Sequence, residues 1–217
     1  MTTRPPMDPS LYLVAGTDAV PGGALIETVA AAVAGGVTMV QLREKNRPAR
    51  ETIELARRLR AVLAPSGVPL IVNDSIEVAR AAGAHGVHLG VDDGDVAAAR
   101  ARLEPGSIVG VSAGTAAEAA RVDWAVADYA GVGSVFATGT KPDAGPPIGI
   151  DGLTALMARI PLPVVAIGGI GPGNAGPVAA TGVAGIAVVS AICGSADPKA
   201  AARALRALVD QARAARG

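Results

Sequence analysis

The sequence predicts an α/β protein folded as a single-domain (β/α)₈ TIM barrel, and three observations lead there. Short β-branched apolar runs alternate with Ala-, Arg- and Glu-rich segments along the whole chain. Half of the 217 residues are hydrophobic, but the aromatic complement is one Trp, two Tyr and one Phe. The core must therefore be built from Ala, Val, Leu and Ile, which suit parallel strands buried on both faces. Polar side chains able to do chemistry collect just after the apolar runs, on the face where a barrel carries its functional loops. An open doubly wound sheet is the alternative that the same alternation allows.

The first ten residues hold three prolines and no apolar stretch, which reads as a tail ahead of a barrel over 11–217 and not as a signal peptide. The first strand is expected at Leu11–Val14. The second, Thr38–Gln41, follows the helix-ending Gly35-Gly36-Val37. A helix over Ala49–Leu63 carries Ile53, Leu55, Ala56, Leu59 and Leu63 near helical spacing and leads to a third strand at Leu70–Asn73. The next strands are expected at Gly86–Leu89, Ile108–Ser112 and Tyr129–Val132. The longest connection, Gly133–Ile150, is rich in Gly, Pro and Thr, as a functional lid would be. No charged residue occurs between Arg159 and Asp197, but Pro161, Pro163, Pro172 and Pro177 divide that stretch into strand-length runs. It reads as two buried strands, Val164–Ile167 and Gly185–Val188, and not as a membrane span. The last helix, Pro198–Arg216, opens with Asp197 as N-cap and proline at its first position.

Nineteen basic residues balance nineteen acidic ones, and with so few aromatics this argues against a nucleic-acid binder. A single cysteine, Cys193, excludes an internal disulfide and sits in an apolar run as a buried filler. The expected compartment is the cytoplasm, and the expected partners are small phosphorylated molecules, with neither nucleic acid nor membrane. Oligomeric state is not legible, and a homodimer is only a working expectation.

The strand ends carry the chemistry. Gln41, Arg43 and Lys45 alternate, so an extended chain would aim two cations and an amide at one phosphate or diphosphate. Asp74 and Asp93 follow successive strands and could share a hard Mg²⁺ ion beside those cations. The plainer reading of Asp74 is a helix cap, and Asp92 is the bystander of its pair. Gly168-Gly169-Ile170-Gly171 and Ser190-Ala191-Ile192 follow the last two strands, where many barrels hold a phosphate on backbone N–H groups. His88 reads first as a hydrogen-bonded core residue and only second as a catalyst.

At these positions the chain resembles the thiamine-phosphate synthase family. The shared segments are Val40-Gln41-Leu42-Arg43-Glu44-Lys45, Val72-Asn73-Asp74, Gly86-Val87-His88-Leu89-Gly90 with Asp93 beyond, and Gly110-Val111-Ser112. They continue with Gly131–Lys141, containing Thr138-Gly139-Thr140-Lys141, then Ala166–Ile170 with Asn174, and Val188–Ile192. The resemblance implies a transferase that joins a 4-amino-2-methyl-5-(diphosphooxymethyl)pyrimidine to a 4-methyl-5-(2-phosphooxyethyl)thiazole and releases pyrophosphate. By position it implies that Gln41, Arg43, Lys45, Asn73, Ser112 and Lys141 hold the pyrimidine diphosphate, and that Arg43, Lys45, Ser112 and Lys141 act in catalysis. Asp74 and Asp93 would bind Mg²⁺, while Thr138, Thr140, Gly169, Val189 and Ser190 would hold the thiazole phosphate. The chain departs from the family pattern at Ser75, His85, Val91, Ala113, Gly114 and Ala137, which bears on packing near the fourth and fifth strands. A thiazole tautomerase of the same barrel family and a non-catalytic barrel that binds thiamine phosphates are the alternatives.

Overall fold

The computed structural model describes residues 7–90, 93, 95–140 and 145–216. Within them, β1 (Leu11–Ala15), β2 (Met39–Leu42), β3 (Leu70–Asn73), β4 (Gly86–Leu89), β5 (Ile108–Ser112), β6 (Tyr129–Val132), β7 (Val164–Ile167) and β8 (Gly185–Val188) pair in parallel. Each strand lies beside the next in sequence, and β8 returns to β1 to close a TIM barrel. The intervening helices are α1 (Leu25–Ala34), α2 (Ala49–Leu63), α3 (Ile76–Ala82), α4 (Val96–Arg102), α5 (Ala116–Arg121), α6 (Gly149–Met157), α7 (Ala175–Ala180), α8 (Ser190–Cys193) and α9 (Pro198–Ala214). Among the described residues no helix is long and apolar enough to cross a membrane.

The two-residue period of the strands sorts side chains into two cores. Leu11, Leu13, Val40, Leu42, Val132, Ala166 and Ile186 pack outward beneath the helices. Tyr12, Val14, Met39, Ile71, Ile108, Tyr129, Val165 and Ala187 fill the barrel interior. Glycine makes room for the interior rings. A methyl at Gly110 would lie 2.1 Å from the Tyr129 ring and 2.5 Å from His88 Nδ1.

Strand positions agree with the sequence reading to within a residue. The second strand starts one later, at Met39. Just ahead of it Thr38 donates its N–H to Leu11 C=O at 2.9 Å and adds a side-chain link to the same residue. Its Oγ1 accepts from Leu11 N–H at 3.0 Å and donates to Leu11 C=O at 3.1 Å. The final helix forms as expected, with the Asp197 carboxylate accepting from Ala200 N–H at 2.9 Å, and ends at Ala214. It packs against both α1 and α7, joining the two ends of the helical ring. Segment 7–10 lies across the amino-terminal mouth, where Arg213 donates to Ser10 Oγ and to the Ala184 carbonyl. Cys193 is buried and unpaired, and burial, then the Asp18 charge, pushes its thiol up to about 11.

Candidate active site

One cavity of about 360 Å³ opens at the carboxyl-terminal end of the strands. It is lined by Gln41, Arg43, Lys45, Asn73, Asp74, Asp93, Ser112, Thr138, Thr140, Gly169, Val189 and Ser190. An open cleft continues it past Asp18, Asn46, Gly139 and Gly171. The residues expected from sequence therefore face a common space, apart from Lys141, which lies outside the described residues together with Val91 and Asp92.

The cationic arm is held by a buried carboxylate. Arg43 N–H donates to Ala15 C=O at 2.8 Å, which prolongs the β1–β2 register past Leu42. Glu44 turns the other way. Its carboxylate accepts from Thr17 N–H at 2.7 Å, from Thr17 Oγ1 at 3.0 Å and from Arg47 Nε at 3.3 Å. With Glu44 only 6% exposed and anchored to the β1–α1 connection, Arg43 and Lys45 on either side are left facing the cavity. Gly16 permits the crossing of these two connections, since a Cβ there would lie 2.1 Å from Arg43 C=O.

Asp74 is not a helix cap. Ser75 takes that role, its Oγ accepting from Val78 N–H at 3.2 Å at the start of α3. Asp74 instead adopts a left-handed backbone with φ 62°, fixed by its N–H donating to His88 C=O at 2.8 Å. Such a conformation is unfavourable for a side-chain-bearing residue, though Asp tolerates it better than most. It places the carboxylate 3.0 Å from Lys45 Nζ and beside Asp93. Burial and the hydrogen bond shared with Asp93 hold the Asp74 carboxyl above its usual range, and Lys45 only partly offsets them. Burial also acts to raise Asp93, but the hydrogen bonds from Asp74 and from Gly90 N–H, the latter at 2.7 Å, outweigh it and leave Asp93 low. Two carboxyls that resist joint ionisation are a fitting donor pair for a divalent cation, which would relieve their repulsion.

The floor of the cavity is polar, and sequence reasoning passed over its two tyrosines, Tyr12 and Tyr129. Gln41 Nε2 donates to Tyr12 Oη at 2.9 Å, and Tyr12 Oη meets Tyr129 Oη at 2.9 Å. Tyr129 Oη lies 2.9 Å from His88 Nδ1, and His88 Nε2 lies 2.9 Å from Ser112 Oγ. The tyrosine rings pack edge to face with centroids 5.9 Å apart. Burial raises both phenols well above their usual range, so each remains a hydroxyl at neutral pH. His88 is thus hydrogen-bonded, as its first reading held, yet it also lines the cavity.

The opposite wall is made of backbone. Gly168 and Gly169 have φ 101° and 64°, and a Cβ on Gly169 would lie 2.5 Å from Ala137 C=O. Asn174 clamps this turn, accepting from Gly171 N–H at 2.8 Å and donating to Gly169 C=O at 2.9 Å. Ser190 opens α8 across the cleft, and Thr138 Oγ1 accepts from Thr140 N–H at 3.2 Å. The connection expected to be a lid is tied at its base. Val135 N–H donates to Ile167 C=O at 2.9 Å, and Ile148 N–H returns to Ser134 C=O at 3.0 Å. Since α6 starts at Gly149, the connection ends at Ile148, two residues before the expected limit.

Comparison with known proteins turns this geometry into a family assignment. Residues 11–192 match the sequence profile described as thiamine monophosphate synthase. The chain belongs to the thiamine monophosphate synthase family. A thiamine-phosphate synthase of Moorella thermoacetica is 49% identical over 94% of this chain and 97% of its own. One from Xanthobacter autotrophicus is 51% identical over 96% and 99%. The solved thiamine phosphate pyrophosphorylase of Pyrococcus furiosus superposes with a TM-score of 0.85 at 38% identity, covering 94% of this chain and 97% of that one. A 3-hexulose-6-phosphate synthase, with a TM-score of 0.64 at 23% identity, shares the fold alone.

The departures from the family pattern have local partners here. His85 Nδ1 accepts from Leu70 N–H at 2.9 Å, and Ser75 caps α3. Ala113 is fully buried, its N–H donating to Gly131 C=O at 2.8 Å. Gly114 N–H donates to Glu118 at 2.6 Å, and a methyl on Gly114 would lie 2.8 Å from Gly133 C=O. Ala137 is exposed on the connection after β6. Among the described residues no buried side-chain N or O atom lacks a partner, so the substitutions leave no polar defect near β4 or β5.

Proposed function

We propose that this chain is a Mg²⁺-dependent thiamine-phosphate synthase, joining the aminopyrimidine diphosphate to the thiazole phosphate and releasing pyrophosphate. The observation that carries the reading is the two-ended cavity. Arg43, Lys45, Asp74 and Asp93 line it from the ends of β2, β3 and β4, while Thr138, Thr140, Gly169 and Ser190 line it from the ends of β6, β7 and β8. Each phosphorylated substrate would have its own wall, and the two rings would meet between them.

The chemistry asked of the residues is mainly electrostatic. Arg43 and Lys45, with Lys141 by resemblance, would bind the diphosphate and stabilise the charge that grows on it as its bond to the pyrimidine methylene breaks. Asp74 and Asp93 would hold Mg²⁺, which supplies further neutralisation of that leaving group. Gln41, Asn73 and Ser112 would orient the pyrimidine and its first phosphate. Backbone N–H groups after β7 and β8, with the two threonines and Val189, would fix the thiazole phosphate so that the ring nitrogen faces the electron-poor methylene carbon. No protein nucleophile is required, and the buried Cys193 thiol is held protonated.

Purified protein given both substrates and Mg²⁺ should form thiamine phosphate and pyrophosphate in equal amounts, and EDTA should stop it. Absence of condensation would refute the proposal. EDTA-insensitive isomerisation of a thiazole carboxylate phosphate would put the tautomerase reading in its place.

A further inference from the structure

Gln41 and Ser112 stand on β2 and β5, across the barrel from one another, yet one string, buried at its tyrosines and half-buried at its histidine end, connects them: Gln41, Tyr12, Tyr129, His88, Ser112. Hydrogen-bond strings have a direction, and an amide nitrogen fixes this one because it can only donate. Gln41 Nε2 donates to Tyr12 Oη. Tyr12 then has its own proton to place, and its other partner is Tyr129. Tyr129 passes the same demand to His88 Nδ1, which must accept and therefore carries no proton. The imidazole proton is left on Nε2, facing Ser112 Oγ. With its oxygen already accepting, Ser112 has its hydroxyl proton free for the cavity, and Gln41 has its carbonyl oxygen.

We infer that this string sets the polarity of the ring-binding site, fixing an acceptor at Gln41 and a donor at Ser112, and so selects a 4-aminopyrimidine over its 4-oxo counterpart. The inference rests on the synthase reading for the identity of the ring. An amino group toward Gln41 Oε1 and a ring-nitrogen lone pair toward Ser112 satisfy both ends. A 4-oxo ring sets carbonyl against carbonyl at Gln41. Flipping the Gln41 amide to relieve that clash would require four further groups to reverse together: both phenols, the His88 tautomer and the Ser112 hydroxyl. Burial of the phenols, with Tyr12 only 2% exposed and Tyr129 fully buried, denies water as a substitute partner. Tyr12, Tyr129 and His88 are positioning residues in this account, acting on the ring through Gln41 and Ser112.

The test compares kcat/KM for the 4-amino and 4-oxo pyrimidine diphosphates in the wild type, Tyr129→Phe and Tyr12→Phe. Either substitution cuts the string and frees the Gln41 amide to turn, so the amino-to-oxo preference should fall about tenfold or more, while KM for the thiazole phosphate stays within about twofold. A preference unchanged in a folded variant overturns the inference, and two variants guard against one failing to fold. Nitrogen NMR of the ligand-free wild type reads the string independently of turnover. The Nε2–H tautomer of His88 is expected, and the Nδ1–H tautomer overturns it. If the wild type condenses neither pyrimidine, the synthase reading falls and takes the ligand assignment with it, while the tautomer still decides the direction of the string.

Discussion

Asp74 pairs an unfavourable backbone conformation with a carboxylate that resists ionisation, and both are sustained by its surroundings: His88 C=O for the backbone, burial and then Asp93 for the side chain, against the partial offset of Lys45. Asp74→Asn keeps the tolerance for a left-handed φ and removes the charge. Turnover should drop by about 10²-fold or more, and Asp93→Asn should match it, with melting temperatures close to wild type. Wild-type rates in both would remove the metal from the mechanism. His85 offers a second prediction at this scale. Burial, then the charge of Arg60, holds its imidazole below 6.5 in the folded chain. The unfolded chain takes up that proton more readily, so His85 contributes stability above pH 6.5 that is lost as pH falls through its lowered value. His85→Asn, which keeps an acceptor for Leu70 N–H, should flatten the fall in melting temperature between neutral and mildly acidic pH. Parallel curves for the two proteins would contradict the assignment.

The connection after β2 is the element whose form matters most to the site. Because Glu44 is buried against Thr17 and Arg47, the alternation of the extended chain is carried beyond the end of the strand, and both neighbouring cations project to the same side. Glu44→Ala would leave Thr17 N–H without its partner and release the anchor. The expected result is a KM for the pyrimidine diphosphate raised by about tenfold, with the thiazole KM little changed, because the other wall is built from separate loops. Equal effects on both substrates would mean that the barrel rim had been disturbed as a whole. At α3 the cap carries a simpler prediction. Ser75→Ala should cost about 1 kcal/mol of stability in denaturant unfolding, since Val78 N–H would lose its acceptor.

At the scale of the molecule, closure of eight strands brings Asp74, Asp93, Arg43 and Lys45 to one rim, so binding there should stabilise the entire fold. Mg²⁺ at about ten times its Kd should add roughly 1.4 kcal/mol, or about 3 °C in melting temperature, and Asp74→Asn should abolish the gain. An equal gain in wild type and variant would place the ion elsewhere.

From sequence alone the strands, the barrel and the set of polar strand ends are legible, because each rests on local pattern: apolar runs of strand length, helix-ending glycines, and charged, hydroxyl or glycine residues placed after the runs. The start of β2 differs by only one residue, at Thr38, whose side-chain link to Leu11 is invisible to periodicity. Tertiary structure alone decided that Ser75 caps α3 and leaves Asp74 for the site. It alone turned Glu44 into an anchor, and it alone joined Tyr12 to Tyr129 across 117 positions of chain. Those outcomes depend on which side chains meet once the barrel closes. A strand's two-residue period says that Tyr12 and Tyr129 point inward; only the shared interior makes their hydroxyls each other's partner.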